Sequence, residues 1–333
     1  MTEKTKAIGD IHIKTIDNLN TNNEVDQYKN YRKEFDLAAS FEKIPQYPIH
    51  VDIEIDNFCN FACTFCPIGQ PESKFHSQYK VIKKIDEDKV YKILEECKLI
   101  GVKSVQFSLV NEPLANKNIF KYINYASKLN IPDISIVSNA YLLNEKNSKE
   151  ILNSGLKKIQ FSLDSFSQAS YSERRLKSLK PANYQKTVNN IINFLELKKK
   201  QNKIFPLVRV SFIELDNNKH EIDDFKKFWA DKVDTIHFQK LIDYTNDEID
   251  EIDENEEKKY KCNMPMFRLS IKADGGVKPC CVTFGEDINL GNINNTSLDE
   301  IWNSKFMKEF QKMHLDEKAH KNDICLNCLN NTA

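Results

Sequence analysis

From about residue 49 to residue 239, short runs of apolar and β-branched residues alternate with longer stretches of helical periodicity, and this alternation leaves few folds open. The runs are 49–55, 104–109, 134–138, 158–163, 207–213 and 235–238. Between them, 86–99 has helical spacing and meets a stop signal at Gly101, Asn144 can cap a short helix that ends near Gly155, and 182–200 is amphipathic. Six such strand-helix units imply an α/β architecture, a parallel sheet covered by helices. Periodicity alone leaves open whether that sheet curls into a partial barrel.

The chain of 333 residues can bury one large core with room for a small appendage, so its stability does not require disulfides. With 48 basic and 49 acidic residues its formal net charge is -1, and no overall field favours nucleic acid or an anionic membrane. The start, 1–10, is polar and lacks an apolar core of signal-peptide type, and no later apolar run approaches a membrane span. The expectation is a cytoplasmic protein with no nucleic-acid and no membrane partner. The segment 243–257 holds nine acidic residues and little apolar material, as a solvated linker between two domains would. Beyond it, 267–271, the turn Ala273-Asp274-Gly275-Gly276 and Val277 onward read as a β-hairpin whose glycines supply positive φ. A helix is expected from Ser297, which has capping-box spacing with Glu300, followed by an apolar face of Ile301, Trp302, Phe306 and Phe310.

Nine cysteines in a chain from a reducing compartment need a chemical explanation, because thiols there stay free for metals or catalysis. Cys59, Cys63 and Cys66 sit in one loop directly after the first strand, at the carboxyl end where parallel α/β folds usually place their chemistry. Three thiolates can hold a cubane by three of its irons and leave the fourth open to a chelating ligand. A zinc site is the alternative, although zinc normally takes four ligands and the nearest histidine, His76, is ten residues past Cys66. Cys262, Cys280, Cys325 and Cys328 supply a second set of four, which suits a second cluster or a four-cysteine zinc site. Cys97 shares helical spacing with Val90, Ile93 and Leu94 and belongs on an apolar face.

The spacing of three residues and then two across Cys59, Cys63 and Cys66, with Phe65 just before the last, resembles the signature of the radical SAM superfamily. The resemblance covers about 49–239. It implies a partial (β/α)6 TIM-like barrel in which a 4Fe-4S cluster binds S-adenosylmethionine through the unique iron and cleaves it reductively to a 5'-deoxyadenosyl radical. Asn111-Glu112-Pro113 resembles the family's Gly-Gly-Glu-Pro segment, with asparagine in a glycine's place; Glu112 would then accept hydrogen bonds from the methionine ammonium. Ser138-Asn139-Ala140 resembles a Thr-Asn-Gly segment, and Ser162 with Asp164 resembles the next strand's ribose-holding end; Asn139 can equally be a turn residue and Asp164 a helix cap. Arg209 and Ser211 are further candidate cofactor or substrate contacts.

Seventeen residues separate Cys262 from Cys280, Gly275 stands five before the second, and Cys325-Leu326-Asn327-Cys328 closes the set. This resembles the shortened SPASM, or twitch, extension over about 258–330, which implies a small α+β iron-sulfur domain with one auxiliary 4Fe-4S cluster. The expected organisation is an N-terminal extension, 1–48, the barrel, 49–242, the acidic linker, 243–257, and the cluster domain, 258–333. Cys281 exceeds the four ligands; it can be inert, an alternative ligand, or a thiol that donates hydrogen to a substrate radical. The expected activity is hydrogen abstraction from a small polyol, sugar or nucleotide, ending in oxidation or epimerisation, with a flavodoxin or ferredoxin-type electron donor. The other readings are maturation of a ribosomal peptide and a non-catalytic metal-binding or electron-transfer protein.

Overall fold

The computed structural model describes residues 9–12, 22–71, 76–177, 180–241, 260–281 and 288–332. In chain order the elements are β1 (Gly9–His12), α1 (Asn23–Ala39), β2 (His50–Ile53), α2 (Glu87–Ile100), β3 (Ser104–Gln106), α3 (Ile119–Lys128), β4 (Asp133–Ser138), α4 (Glu145–Asn153), β5 (Lys158–Ser162) and α5 (Gln168–Arg174). The ribbon β6 (Leu176–Lys177) and β7 (Lys180–Pro181) follows, then α6 (Tyr184–Lys200), β8 (Leu207–Glu214), α7 (Ile222–Trp229) and β9 (Thr235–Lys240). The last part holds β10 (Arg268–Ile271), β11 (Gly276–Lys278), β12 (Gly291–Asn292), α8 (Leu298–Trp302), α9 (Lys305–Leu315) and α10 (Asp323–Thr332).

Strands β2, β3, β4, β5, β8 and β9 pair in that order, all parallel, each at one of the six runs read from the sequence. The row does not close on itself: β2 pairs on its other side with β10, and β9 with β1. This is the open, partial barrel. Its strands are apolar outward and polar inward. Val51, Ile53, Val105, Ile134, Ile136, Ile159, Phe161, Val208, Val210, Ile236 and Phe238 join one continuous core with the inner faces of α2, α3, α6 and α7, and Cys97 lies wholly inside it. The alternate positions, among them Asp52, Ser104, Gln106, Gln160, Ser162, Arg209, Ser211 and His237, face the lumen, because successive side chains of a strand point to opposite sides. Helix ends follow local chemistry: Gly101 at φ +95° closes α2 by donating its N–H to Cys97 and Lys98, and the Asn144 side chain caps α4 by accepting from the Asn147 N–H.

The polar lumen is organised by Asp52, which is fully buried. Its carboxylate accepts from Arg268 Nε and Nη2, both at 2.6 Å, from Ser270 Oγ at 2.5 Å and from Gln106 Nε2 at 3.1 Å, with His50 Nε2 at 3.0 Å. Burial alone would raise this carboxyl, but Arg268 and His50 outweigh it and hold Asp52 well below the usual carboxylate range. Arg268 and Ser270 belong to β10, so the hairpin beyond the acidic segment continues the barrel sheet, in parallel register from Arg268 opposite His50 to Ile271 opposite Ile53. The segment 243–257 lies outside the described residues. At the strands' N-terminal ends, Val25, Tyr28 and Tyr31 of α1 pack with Ile49, Phe205 and Phe267 and close that end of the barrel.

Two expectations in the last part are corrected. Gly275 carries positive φ (+85°) in the hairpin turn, whereas Gly276 does not. The helix that starts at Ser297 with its capping box ends at Trp302; Ser304 caps a new helix, α9, and Phe306 falls on its exposed side while Phe310 is buried. Arg268→Leu leaves the Asp52 charge buried without its main partner and is expected to destabilise the fold by about 3–5 kcal/mol, read as a lower denaturation midpoint.

Candidate functional site

The loop that carries Cys59, Cys63 and Cys66 leaves the C-terminal end of β2 and turns tightly over itself. Cys66 N–H donates to Cys63 O at 3.0 Å and Gly69 N–H to Cys66 O at 2.8 Å. A Cβ at Gly69 would stand 2.3 Å from Cys63 O and 2.6 Å from the Ala62 carbonyl carbon, so only glycine fits. The loop is pinned on its outer side by Ala62 N–H to Leu176 O (2.7 Å) and Thr64 N–H to Arg174 O (2.9 Å). All three cysteines open into one cavity of about 350 Å³ at the C-terminal ends of the strands. Burial, then the neighbouring Cys63, push the Cys66 thiol up to about 12, and burial raises Cys59 and Cys63 as well. Thiols so placed ionise only against strong local positive charge, which the irons of a cluster supply. Among the described residues no three His, Cys, Asp or Glu side chains converge tightly enough to hold a single ion, an arrangement that ligands bound to three different irons do not need.

The same cavity is lined by Phe65, Asn111, Glu112, Ser138, Asn139, Ser162, Asp164 and Ser211, and by Cys281. Glu112 is buried. Its Oε1 accepts from Leu114 N–H (3.0 Å) and Ser138 Oγ (2.8 Å), and its Oε2 from Asn139 N–H (2.7 Å); burial outweighs these donors and pushes the carboxyl up to about 7. A cationic ligand at Oε2 would favour its ionised form. Asn139 donates to Asn60 Oδ1 at 2.9 Å and approaches Cys59 Sγ at 3.9 Å, while its own Oδ1 makes the turn bond to Tyr141 N–H. It therefore ties the cysteine loop to the end of β4. Ala140, where the related segment has glycine, takes the left-handed conformation at φ +58°.

Two sequence-derived candidates have charged partners within the protein. Asp164 is neither a cap nor a free acceptor: it sits at φ +59°, ion-paired with Arg175 through Oδ2 and accepting Ile213 N–H through Oδ1 at 3.0 Å. Arg209 is not among the cavity's lining residues; it lies one pleat nearer the N-terminal end of β8 than Ser211, and its guanidinium pairs with Asp10 of β1 at 2.5 Å. Sequence reasoning missed three polar lining residues. Gln160 and Gln239 could have been found as inward alternates of their strands, and Arg175, which touches Cys63 and lies 5.4 Å from the Phe65 ring centre, has no local signal.

A second, small apolar cavity gathers Cys262, Cys280, Cys325 and Cys328 with Pro265, Ile288, Phe310, His314, Ile324 and Leu329. Cys325 and Cys328 lie three apart in the first turns of α10 and so share a face, and the Asn322 side chain accepts Cys325 N–H at 3.1 Å. Burial pushes Cys262 up to about 11 and, with Cys262 and Cys281 adding to it, Cys328 up to about 12. Four thiols in a dry pocket fit a fully ligated cluster. His314, unnoticed in the sequence, is buried here: Cys262 N–H donates to its Nδ1 at 3.0 Å, and its Nε2 lies 3.7 Å from Cys325 Sγ. Burial lowers it to about 4.

The sequence model of the radical SAM superfamily matches residues 53–228, more than half of the chain. The chain belongs to the radical SAM superfamily. A second model, of the SPASM iron-sulfur cluster-binding domain, matches residues 262–329. As a radical SAM protein it uses S-adenosylmethionine and a 4Fe-4S cluster, and the SPASM domain adds auxiliary iron-sulfur. The chain is 29% identical over 195 residues to a GTP 3',8-cyclase of Clostridium botulinum, a match that covers 58% of this chain and 56% of the cyclase. It thus spans little more than half the length of that curated relative. In fold it resembles anSMEcpe with bound AdoMet and Cp18Cys peptide (TM-score 0.60, 16% identity, 86% of this chain and 89% of that one). It also resembles BtrN in complex with AdoMet and 2-DOIA (TM-score 0.54, 16% identity, 84% and 92%). Among the described residues no helix is long and apolar enough to cross a membrane. Gly69→Ala is expected to cost the radical SAM protein one cluster's worth of iron and sulfide while the other remains, as read by metal analysis of anaerobically reconstituted protein.

Proposed function

We propose that Cys59, Cys63 and Cys66 hold the S-adenosylmethionine-binding cluster, that Cys262, Cys280, Cys325 and Cys328 hold one auxiliary cluster, and that the enzyme abstracts hydrogen from a small hydroxylated molecule. Bound together, cluster and S-adenosylmethionine supply hydrogen-atom abstraction from an unactivated carbon. The chain's own task is to bind, orient and exclude water. Glu112 offers Oε2 to an ammonium, Ser162 and Ser211 stand opposite each other on β5 and β8 as hydroxyl partners, and Phe65 covers the cysteine loop.

The observation that carries the substrate class is the set of neutral polar side chains in the cavity's lining. Gln160, Ser162, Ser211, Gln239 and Asn111 offer hydrogen bonds without charge, and Arg175, the one cation among the described lining residues, is matched by Asp164. A triphosphate such as that of GTP would find no unmatched positive charge among the described lining residues, whereas a sugar, cyclitol or nucleoside would find donors and acceptors for its hydroxyls. A peptide is the second reading, because the fold neighbour anSMEcpe holds one. A flavodoxin or ferredoxin-type protein is the proposed electron donor.

Once a hydrogen atom leaves a carbon that bears a hydroxyl, two outcomes balance. Loss of one electron to the auxiliary cluster and of one proton to a base gives the carbonyl; return of a hydrogen atom from a thiol gives the epimer, and that thiol then regains an electron from the donor protein and a proton from water. Cys281 is exposed and faces the cavity, which makes it the candidate thiol. Anaerobic assays against polyols, nucleosides and peptides decide among these readings. The expected result is 5'-deoxyadenosine that carries deuterium from one labelled polyol carbon, and its complete loss in Cys63→Ala. Label arriving only from peptides would overturn the small-molecule reading. Under epimerisation, Cys281→Ser is expected to keep forming 5'-deoxyadenosine while epimer formation stops; under oxidation, carbonyl product continues.

A further inference from the structure

Among the described residues that line the pocket around Cys325, one polar side chain is not a thiol, His314, in the last turn of α9. Its protonation pattern follows from geometry. The backbone N–H of Cys262 can only donate, and it points at Nδ1 at 3.0 Å, so Nδ1 must present a lone pair. The ring proton therefore sits on Nε2, which faces Cys325 Sγ at 3.7 Å, a hydrogen-bond distance for the larger sulfur atom. The ring cannot easily turn away: it packs against Phe310, with centroids 5.0 Å apart, and is 1% exposed. Gln311, beside it, donates to Pro265 O at 3.0 Å and anchors α9 to the segment that carries Cys262.

We infer that His314 is a positioning residue of the auxiliary cluster whose Nε2–H donates to Cys325 Sγ and raises the cluster's reduction potential; this rests on the assignment of Cys262, Cys280, Cys325 and Cys328 as its ligands. A donor to a ligand sulfur stabilises the more electron-rich, reduced cluster, and in a dry pocket no water competes for that sulfur. The same ring fixes the backbone of Cys262, so one side chain joins two ligands from segments 63 residues apart in the chain. A raised potential makes the cluster a better acceptor for the electron that an oxidation must remove.

The test is potentiometric titration of the reconstituted two-cluster protein followed by electron paramagnetic resonance, on wild type, His314→Gln and His314→Leu. Glutamine can accept from Cys262 N–H with its oxygen and donate to sulfur with its nitrogen, so it is expected to titrate close to wild type. Leucine can do neither, and its auxiliary signal is expected to titrate at a lower potential while the other cluster's stays where it was. Should His314→Leu fail to fold, pulsed resonance on wild type labelled with ¹⁵N-histidine is expected to show a weak coupling to the auxiliary cluster that persists in His314→Gln only as an unlabelled, shifted signal. Equal potentials in all three proteins, or no histidine coupling, would overturn the inference and leave the ligand assignment standing. A strong, directly bonded histidine coupling would overturn it by making His314 itself a ligand. Absence of a second cluster in wild type would remove both.

Discussion

One buried carboxylate connects the two halves of this molecule. Asp52 lies in the lumen on β2, and the guanidinium that neutralises it comes from β10, the strand that leads into the hairpin between Cys262 and Cys280. One pleat higher, Glu54 accepts Val110 N–H at 3.2 Å and Ala273 N–H at 3.1 Å, joining the approach to Asn111-Glu112 to the hairpin turn; burial, against these donors, pushes it up to about 7. Together they make the relation between the two cysteine sites a property of sheet pairing rather than of the acidic segment between them. A buried charge that loses its partner costs several kcal/mol, so hairpin and barrel have strong reason to stay registered.

The face pattern of the strands explains why a site can exist above that network. An eight-stranded barrel fills its middle with branched apolar side chains. Here the apolar residues point out to the helices and the polar ones point in, so the lumen is held by hydrogen bonds and ion pairs: Asp52 with Arg268 on one side, Asp10 with Arg209 and His237 on the other. Those pairs match charges deep in the barrel. The strand residues Gln160, Ser162, Ser211 and Gln239 that reach the C-terminal ends are neutral, and the proposal of a hydroxylated substrate rests on them.

Sequence pattern alone located all six parallel strands to within a few residues, because each apolar run is bounded by turn chemistry and repeats after a helix. That Cys59, Cys63 and Cys66 come together was equally plain, since all three lie in one loop. What stayed hidden depends on contacts between distant segments. Arg175 meets Asp164 and Cys63 only because the segment after α5 folds back on the cysteine loop; Arg209 turns from the cavity because β1, 199 residues earlier, brings Asp10 to it. Nothing near 268 announces that its strand pairs with β2. His314 had a faint signal, for it shares the buried face of α9 with Met307 and Phe310, where a histidine needs a polar partner.

The adjacent pair Cys280 and Cys281 shows how closely the two sites approach. The two residues lie in the bend that follows β11. Cys280 lines the apolar four-cysteine pocket, and Cys281 lines the barrel cavity with Cys59, Cys63 and Cys66. The two pockets meet at this pair of residues, and Cys281 raises the thiol of Cys328 in the other pocket. An electron leaving a substrate beside Cys281 would need to cross only that meeting point to reach the auxiliary site, and a hydrogen atom given by Cys281 would need no crossing at all. The same residue thus stands where the two proposed outcomes diverge, and under the proposed ligand assignment the potential of the cluster behind it, which the inferred His314 bond to Cys325 would raise, bears on the oxidation alone.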